Sequence, residues 1–188
     1  MRRQRGFSLI ELLIVVAIIL IIAAIAIPNL LRAKISANES SAVGSMHTVI
    51  NAEVAYQTAY PQTGFAPNIL ALGPGAGNQT CPAGGPSAAG ACMIDAVLSG
   101  AVGTATKSGY GFESLGQNPV NGAFSAYTAA AVPINYNTTG VRDFCTFEDD
   151  ILRQLPPNPG NTGGQPAAAA LAAGGGPAVC TVAPWTPF

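Results

Sequence analysis

Charge is what this sequence has least of: Asp, Glu, Lys and Arg make up 9% of its 188 residues, where an ordinary soluble domain carries about 25%. The 8 Lys and Arg against 9 Asp and Glu give a formal net charge of −1. That excludes the basic footprint of nucleic-acid binding, so no nucleic acid is expected as a main partner. With one His, and 4 Cys that form no C-x-x-C, the spacing of a zinc cluster is missing. No Gly-rich phosphate loop follows a strand pattern, and no Ser or Cys nucleophile can be paired with His47, which reads as a surface residue. The expectation is a protein that is no enzyme and takes no cofactor. Internal repeats are also absent.

What the chain does have is one long apolar run. Phe7 to Ile27 is 21 residues with a single ionisable side chain, Glu11. As a helix it is about 31 Å long, enough to span a bilayer core. Arg2, Arg3 and Arg5 precede it, so the positive-inside rule predicts N-in, C-out topology. A secretory signal peptide competes, but its apolar region is about 7 to 15 residues and ends at a small-residue cleavage site. A carboxylate inside a spanning segment costs about 2.5 to 3.5 kcal/mol at the centre, so Glu11 calls for a partner or a function.

Gly6-Phe7-Ser8-Leu9-Ile10-Glu11-Leu12-Leu13, followed by the apolar run through Ile27, Pro28 and Asn29, resembles the class III signal peptide of the type IV pilin and pseudopilin superfamily. The resemblance implies that a prepilin peptidase cuts after Gly6 and that the new terminus, Phe7, is N-methylated. It further implies that Glu11 neutralises the Phe7 amine of a neighbouring copy during assembly. Removing residues 1–6 takes away three Arg and leaves 5 basic against 9 acidic residues, a formal −4. A helix apolar nearly all round is stable in lipid and can equally be buried against copies of itself. The competing reading is a simple membrane anchor with a tolerated Glu.

Beyond Pro28, Ile35, Ala42, Val43, Met46, Val49, Ile50 and Val54 recur at mostly 3- and 4-residue steps, one amphipathic stripe. Pro28 predicts a helix bend rather than an end, and Pro61 a stop, giving a helix from about Phe7 to Tyr60. Residues 62–91 read as loop, and Met93, Ile94, Val97 and Leu98 as a short helix before Gly100. Strands are expected at Tyr110–Leu115, Ala123–Val132, Val141–Phe147 and Ile151–Leu155, separated by turns at Asn118-Pro119, Asn137–Gly140 and Glu148–Asp150. The tail from Pro156 is low in complexity, with one helical turn expected in Ala167–Ala173. The fold class is α+β: a long N-terminal helix on a three- or four-stranded antiparallel sheet, as in the pilin fold. The divisions are a leader (1–6), a transmembrane and filament-core helix (7–29), an amphipathic half (30–61) and a head (62–188). Gly140, Arg142, Phe144, Asp150 and Arg153 also resemble, more loosely, a pattern in the last strands of bacterial pilin-like proteins.

Cys81, Cys92, Cys145 and Cys180 fall in the portion expected outside the cytoplasm, where disulfides persist. Three pairings are open, and locality favours Cys81–Cys92 with Cys145–Cys180; the second is similar to the disulfide-bounded region of many pilins. Glu148, Asp149 and Asp150 are a solvated turn or a weak Ca²⁺ site, the latter because the sister pseudopilins use calcium near their C-terminus. Tyr56, Tyr60 and Phe65 are expected to pack where helix meets head. Asn78 and Asn137 match N-x-[ST], a pattern a bacterial cell need not use.

The sequence therefore reads as a type IV pilus subunit, an inner-membrane precursor that becomes an extracellular homopolymer. Its partners are copies of itself, prepilin peptidase, the lipid bilayer and an inner-membrane assembly machinery. Two alternatives stay open: a periplasmic pseudopilin of type II secretion, and a membrane-anchored binding module that never polymerises.

Overall fold

A computed structural model describes residues 7–155 and 186–188. The described chain is α+β, with three helices and a single antiparallel sheet of six strands in the order β1-β2-β3-β4-β5-β6. It divides into two compact units, one up to Lys34 and one from Ile35.

Helix α1 runs Leu9–Ala59, 51 residues, and continues through Pro28. The lost donor of that proline does not end it. In the first unit the helix is long and apolar enough to cross a membrane, and none of its most apolar window is buried within the chain. The same helix changes character in the second unit. There Ala42, Met46, Val49, Ile50, Ala52 and Tyr56 are buried, while His47, Thr48 and Asn51 face out. Steps of three and four residues put those buried positions on one side, the side that meets the head.

The segment read as loop holds one short helix, α2 (Ile69–Leu72), because the Asn68 side chain accepts the Ala71 N–H at 3.1 Å and caps it. Helix α3 (Ala96–Ser99) begins where Asp95 accepts the N–H groups of Val97 and Leu98 at 3.0 and 2.7 Å. It is shorter than the apolar pattern from Met93 suggests.

In the sheet, β1 is Thr106–Lys107, β2 Tyr110–Val120, β3 Ala123–Pro133, β4 Asp143–Phe147, β5 Arg153–Leu155 and β6 Thr186–Pro187. The first turn lies elsewhere than expected: β2 runs on through Asn118-Pro119, and the chain reverses at Asn121-Gly122. With Val120 paired to Ala123, a two-residue loop remains, and both its residues have positive φ, 52° and 86°. That is the turn whose twist matches the flanking strands, and Asn-Gly is the pair that adopts it at least cost. Strand β1 and the pairing of β6 with β5 extend the expected three or four strands to six.

Along β2, Tyr110, Phe112 and Ser114 are buried at every second position. Phe112 pairs with Ala131 and Ala131 with Phe144, so two rings flank a small residue across one face of the sheet. Tyr110, Phe112, Tyr127, Ala129, Ala131 and Phe144 form one core with Met46, Val49 and Tyr56 of α1. Ala129 and Ala131, small residues on the core face of β3, leave room for the large side chains of the neighbouring strands.

Cys81 and Cys92 are bridged, with Cα atoms 5.8 Å apart. Cys145 is also disulfide-bonded, whereas Cys180 lies outside the described residues. So do Gly6 and the helical turn expected in 167–173.

Candidate functional site

The N-terminal candidates are placed by a helix start. Four N–H groups open every α-helix without an internal partner. Here the Glu11 carboxylate turns back and accepts the Ser8 backbone N–H at 2.9 Å. Ser8 precedes the first helical residue and Glu11 is the third, the geometry by which a Glu satisfies a capping residue. Phe7 stands beside it, 76% exposed. From Phe7 to Leu31 the large apolar side chains are all exposed, with Glu11 the one ionisable group among them. Such a surface is far larger than a soluble monomer leaves open, and needs lipid or protein to cover it.

In the second unit two acids of α1 tie the helix to the head. Glu39 accepts Arg142 through Nε at 2.9 Å and Nη2 at 2.6 Å, and its other oxygen accepts the Val141 N–H at 3.0 Å. The remaining guanidinium nitrogen, Nη1, reaches Gln154 at 3.0 Å. Asn38 donates to the Thr139 carbonyl at 2.8 Å, and the Tyr110 hydroxyl to the Arg142 carbonyl at 3.0 Å. One turn of helix thereby fixes the loop that leads into β4.

Glu53 is fully buried and accepts the Ser114 hydroxyl at 2.6 Å and the Ala66 N–H at 3.0 Å. Burial pushes its carboxyl up to about 7, against the lowering effect of those two donors, with Asp150 adding a smaller upward push. Tyr56 donates to the Ala88 carbonyl at 2.6 Å and stacks on Tyr60, centroids 4.8 Å apart; Phe65 packs on Tyr127 at 4.9 Å.

Neither Glu39 nor Glu53 is singled out by the motifs of the sequence. The signal that finds them is the stripe itself: Glu39, Ala42, Met46, Val49, Glu53 and Tyr56 follow steps of three and four without a break. An acid in register with buried apolar neighbours must be met by donors.

In the turn Glu148–Asp150 the carboxylates of Asp149 and Asp150 have separate partners. Asp149 takes Arg153 with both oxygens, and Asp150 accepts the Tyr127 hydroxyl at 2.6 Å. Among the described residues no three His, Cys, Asp or Glu side chains converge to hold a metal. Of the looser pattern, Phe144 is in the core, Arg142 meets Glu39, Arg153 meets Asp149, and Gly140 lies against the Tyr110 ring. The five residues have separate partners and do not form one site.

Residues 1–27 match the family model described as the prokaryotic N-terminal methylation motif. The chain is 47% identical over 57 residues to the type IV wide pilus major component PilA4 of Thermus thermophilus, which covers 30% of this chain and 44% of that protein. It is 38% identical over 77 residues to the type IV major pilin protein PilA of Myxococcus xanthus, covering 41% and 35%. It is also 39% identical over 66 residues to the type II secretion system core protein G of Vibrio cholerae, covering 34% and 45%. The chain thus spans less than half the length of each of these curated relatives. No solved structure matches it.

Proposed function

From an N-terminal methylation motif on an exposed apolar helix, we propose that this chain is the structural subunit of a type IV pilus. The peptidase cuts after Gly6, Phe7 is N-methylated, and the helix waits in the inner membrane with its head outside. Polymerisation then exchanges lipid for neighbouring copies around residues 7–29. Lipid tails are as apolar as these side chains, so packing, and relief of the Glu11 carboxylate, must bias the exchange. The Phe7 amine of a neighbour supplies that relief and sets the axial register. The contacts are heterologous and do not close, which generates a filament rather than a ring. The work is association, with no turnover.

The carrying observation is the unbroken exposed apolar surface from Phe7 to Leu31 with Glu11 alone inside it. Similarity to the secretion core protein G favours a second reading, a periplasmic pseudopilin. Intact-mass and N-terminal peptide measurement of filaments sheared from native cells separates them. Filaments that begin at methylated Phe7 support the pilus. A processed chain recovered only from membrane or periplasm supports the pseudopilus. A chain still beginning at Met1 overturns both in favour of an anchored module.

A further inference from the structure

The acids of the second unit are mostly committed: Glu39 to Arg142, Glu53 to Ser114 and Ala66, Asp95 to Lys107 and the α3 N–H groups, Asp149 to Arg153, Asp150 to Tyr127. Glu113 is different. It is half-buried on β2, and burial is what pushes its carboxyl up, with no hydrogen bond or ion pair to it among the described residues. It borders a cleft of about 230 Å³ lined also by Ile69, Leu70 and Phe112 and by the hydroxyl residues Ser99 and Thr104. The cations show the complementary imbalance. Lys107, Arg142 and Arg153 each have an acid, whereas Arg32 and Lys34 are exposed on α1 with no acidic partner among the described residues.

We propose that the Glu113 cleft receives the basic Arg32–Lys34 segment of a second copy of this chain. A Lys or Arg side chain is suited to such a place, because its methylene stem covers apolar walls while its head meets the carboxylate. A half-buried carboxylate without a donor gains most from a cation that is itself unpaired. Donor and acceptor lie on different patches, so the contact is heterologous and repeats from copy to copy without closing. Charge pairing of this kind fixes register and rejects wrong neighbours more than it adds affinity. The inference rests on the polymer reading above.

The test uses filaments sheared from cells making the full chain. Glu113→Lys lowers filament yield by about tenfold, and Arg32→Glu with Lys34→Glu in the same chain restores it to within about twofold. Glu113→Gln keeps the size of the side chain, and its filaments fall apart more readily at low salt than wild-type ones. A carbodiimide treatment of wild-type filaments yields an intermolecular Glu113–Lys34 peptide. The proposal is overturned by a Glu113→Gln filament as durable at low salt as wild type, which also decides the matter should Glu113→Lys fail to fold. Reversal that does not restore a folded Glu113→Lys chain overturns it too. Wild-type cells without filaments of this chain overturn the polymer reading instead, and this contact with it.

Discussion

Glu39 on α1 and Arg142, the residue before β4, are joined by two charge-assisted hydrogen bonds at 2.6 and 2.9 Å, although 103 residues separate them in sequence. The Glu39 side chain is 5% exposed and that of Arg142 37%, so the pair is dry on the helix side and wet on the other. Among the described residues it is the first ion pair between α1 and the head after the exposed apolar stretch.

Glu39→Ala leaves Arg142 without its acid and the Val141 N–H without an acceptor. The expected loss is about 2 to 3 kcal/mol, at the lower end for breaking a buried pair because Arg142 retains water. Thermal unfolding of the full chain in detergent, followed by near-UV circular dichroism, checks this. A melting point unchanged within a degree sinks the assignment.

Gly140→Ala tests close approach in the same loop. A β-carbon at 140 falls inside contact distance of the Tyr110 hydroxyl and ring, and the ring is fully buried in the core. Overpacking of this kind costs about 1 to 3 kcal/mol. Ser or Thr at 140 is expected to be no better, whereas Gly103→Ala, which meets nothing within 4 Å but has φ 96°, reports backbone strain alone.

Stability depends on pH through Glu53. Its folded value is raised from 4.5 to about 7, so the folded chain holds the proton more tightly than the unfolded one. Folding takes up a proton between those values. The contribution is fully present below about 4.5, falls as pH rises, and is lost once pH passes about 7, a change of roughly 3 kcal/mol. Glu53→Gln flattens that part of the profile. Equal slopes for the two chains between pH 5 and 7 refute the argument.

Reduction of the Cys81–Cys92 bridge opens a short loop with a sequence separation of 11. Chain entropy assigns it about 3 kcal/mol. Replacing both with Ser is expected to lower the unfolding midpoint while α1, which meets that loop through the Tyr56 hydroxyl on the Ala88 carbonyl, keeps its far-UV signal.

Legibility in the sequence follows from how local each cause is. The apolar run and the stripe after it are periodic, so α1 could be read nearly to its ends at Leu9 and Ala59. The strand expected at Ala123–Val132 is β3, one residue longer at Ala123–Pro133. Asn118-Pro119 has the composition of a turn but lies within β2, and the reversal falls at Asn121-Gly122, which carries the stronger local signal. Strands β1 and β6 are two residues each and exist only through their partners, so no pattern within them announces a strand. Adjacency in sequence puts three acids at 148–150, and the fold gives two of them, Asp149 and Asp150, separate donors. Glu39 and Glu53 were overlooked because acids on a stripe read as its interruptions rather than as its members.

The bond between Glu11 and the Ser8 N–H has a consequence for how a polymer of this chain would grow. In the isolated subunit the carboxylate already has a donor from its own backbone, so it is not left bare while waiting. On the assembly reading, the arriving amine displaces a neutral donor with a charged one at the same oxygens. The exchange needs no rebuilding of the helix start, since the other opening N–H groups stay as they were. On that reading Ser8 is a placeholder, keeping the seat occupied until the stronger guest comes and giving it up at little cost.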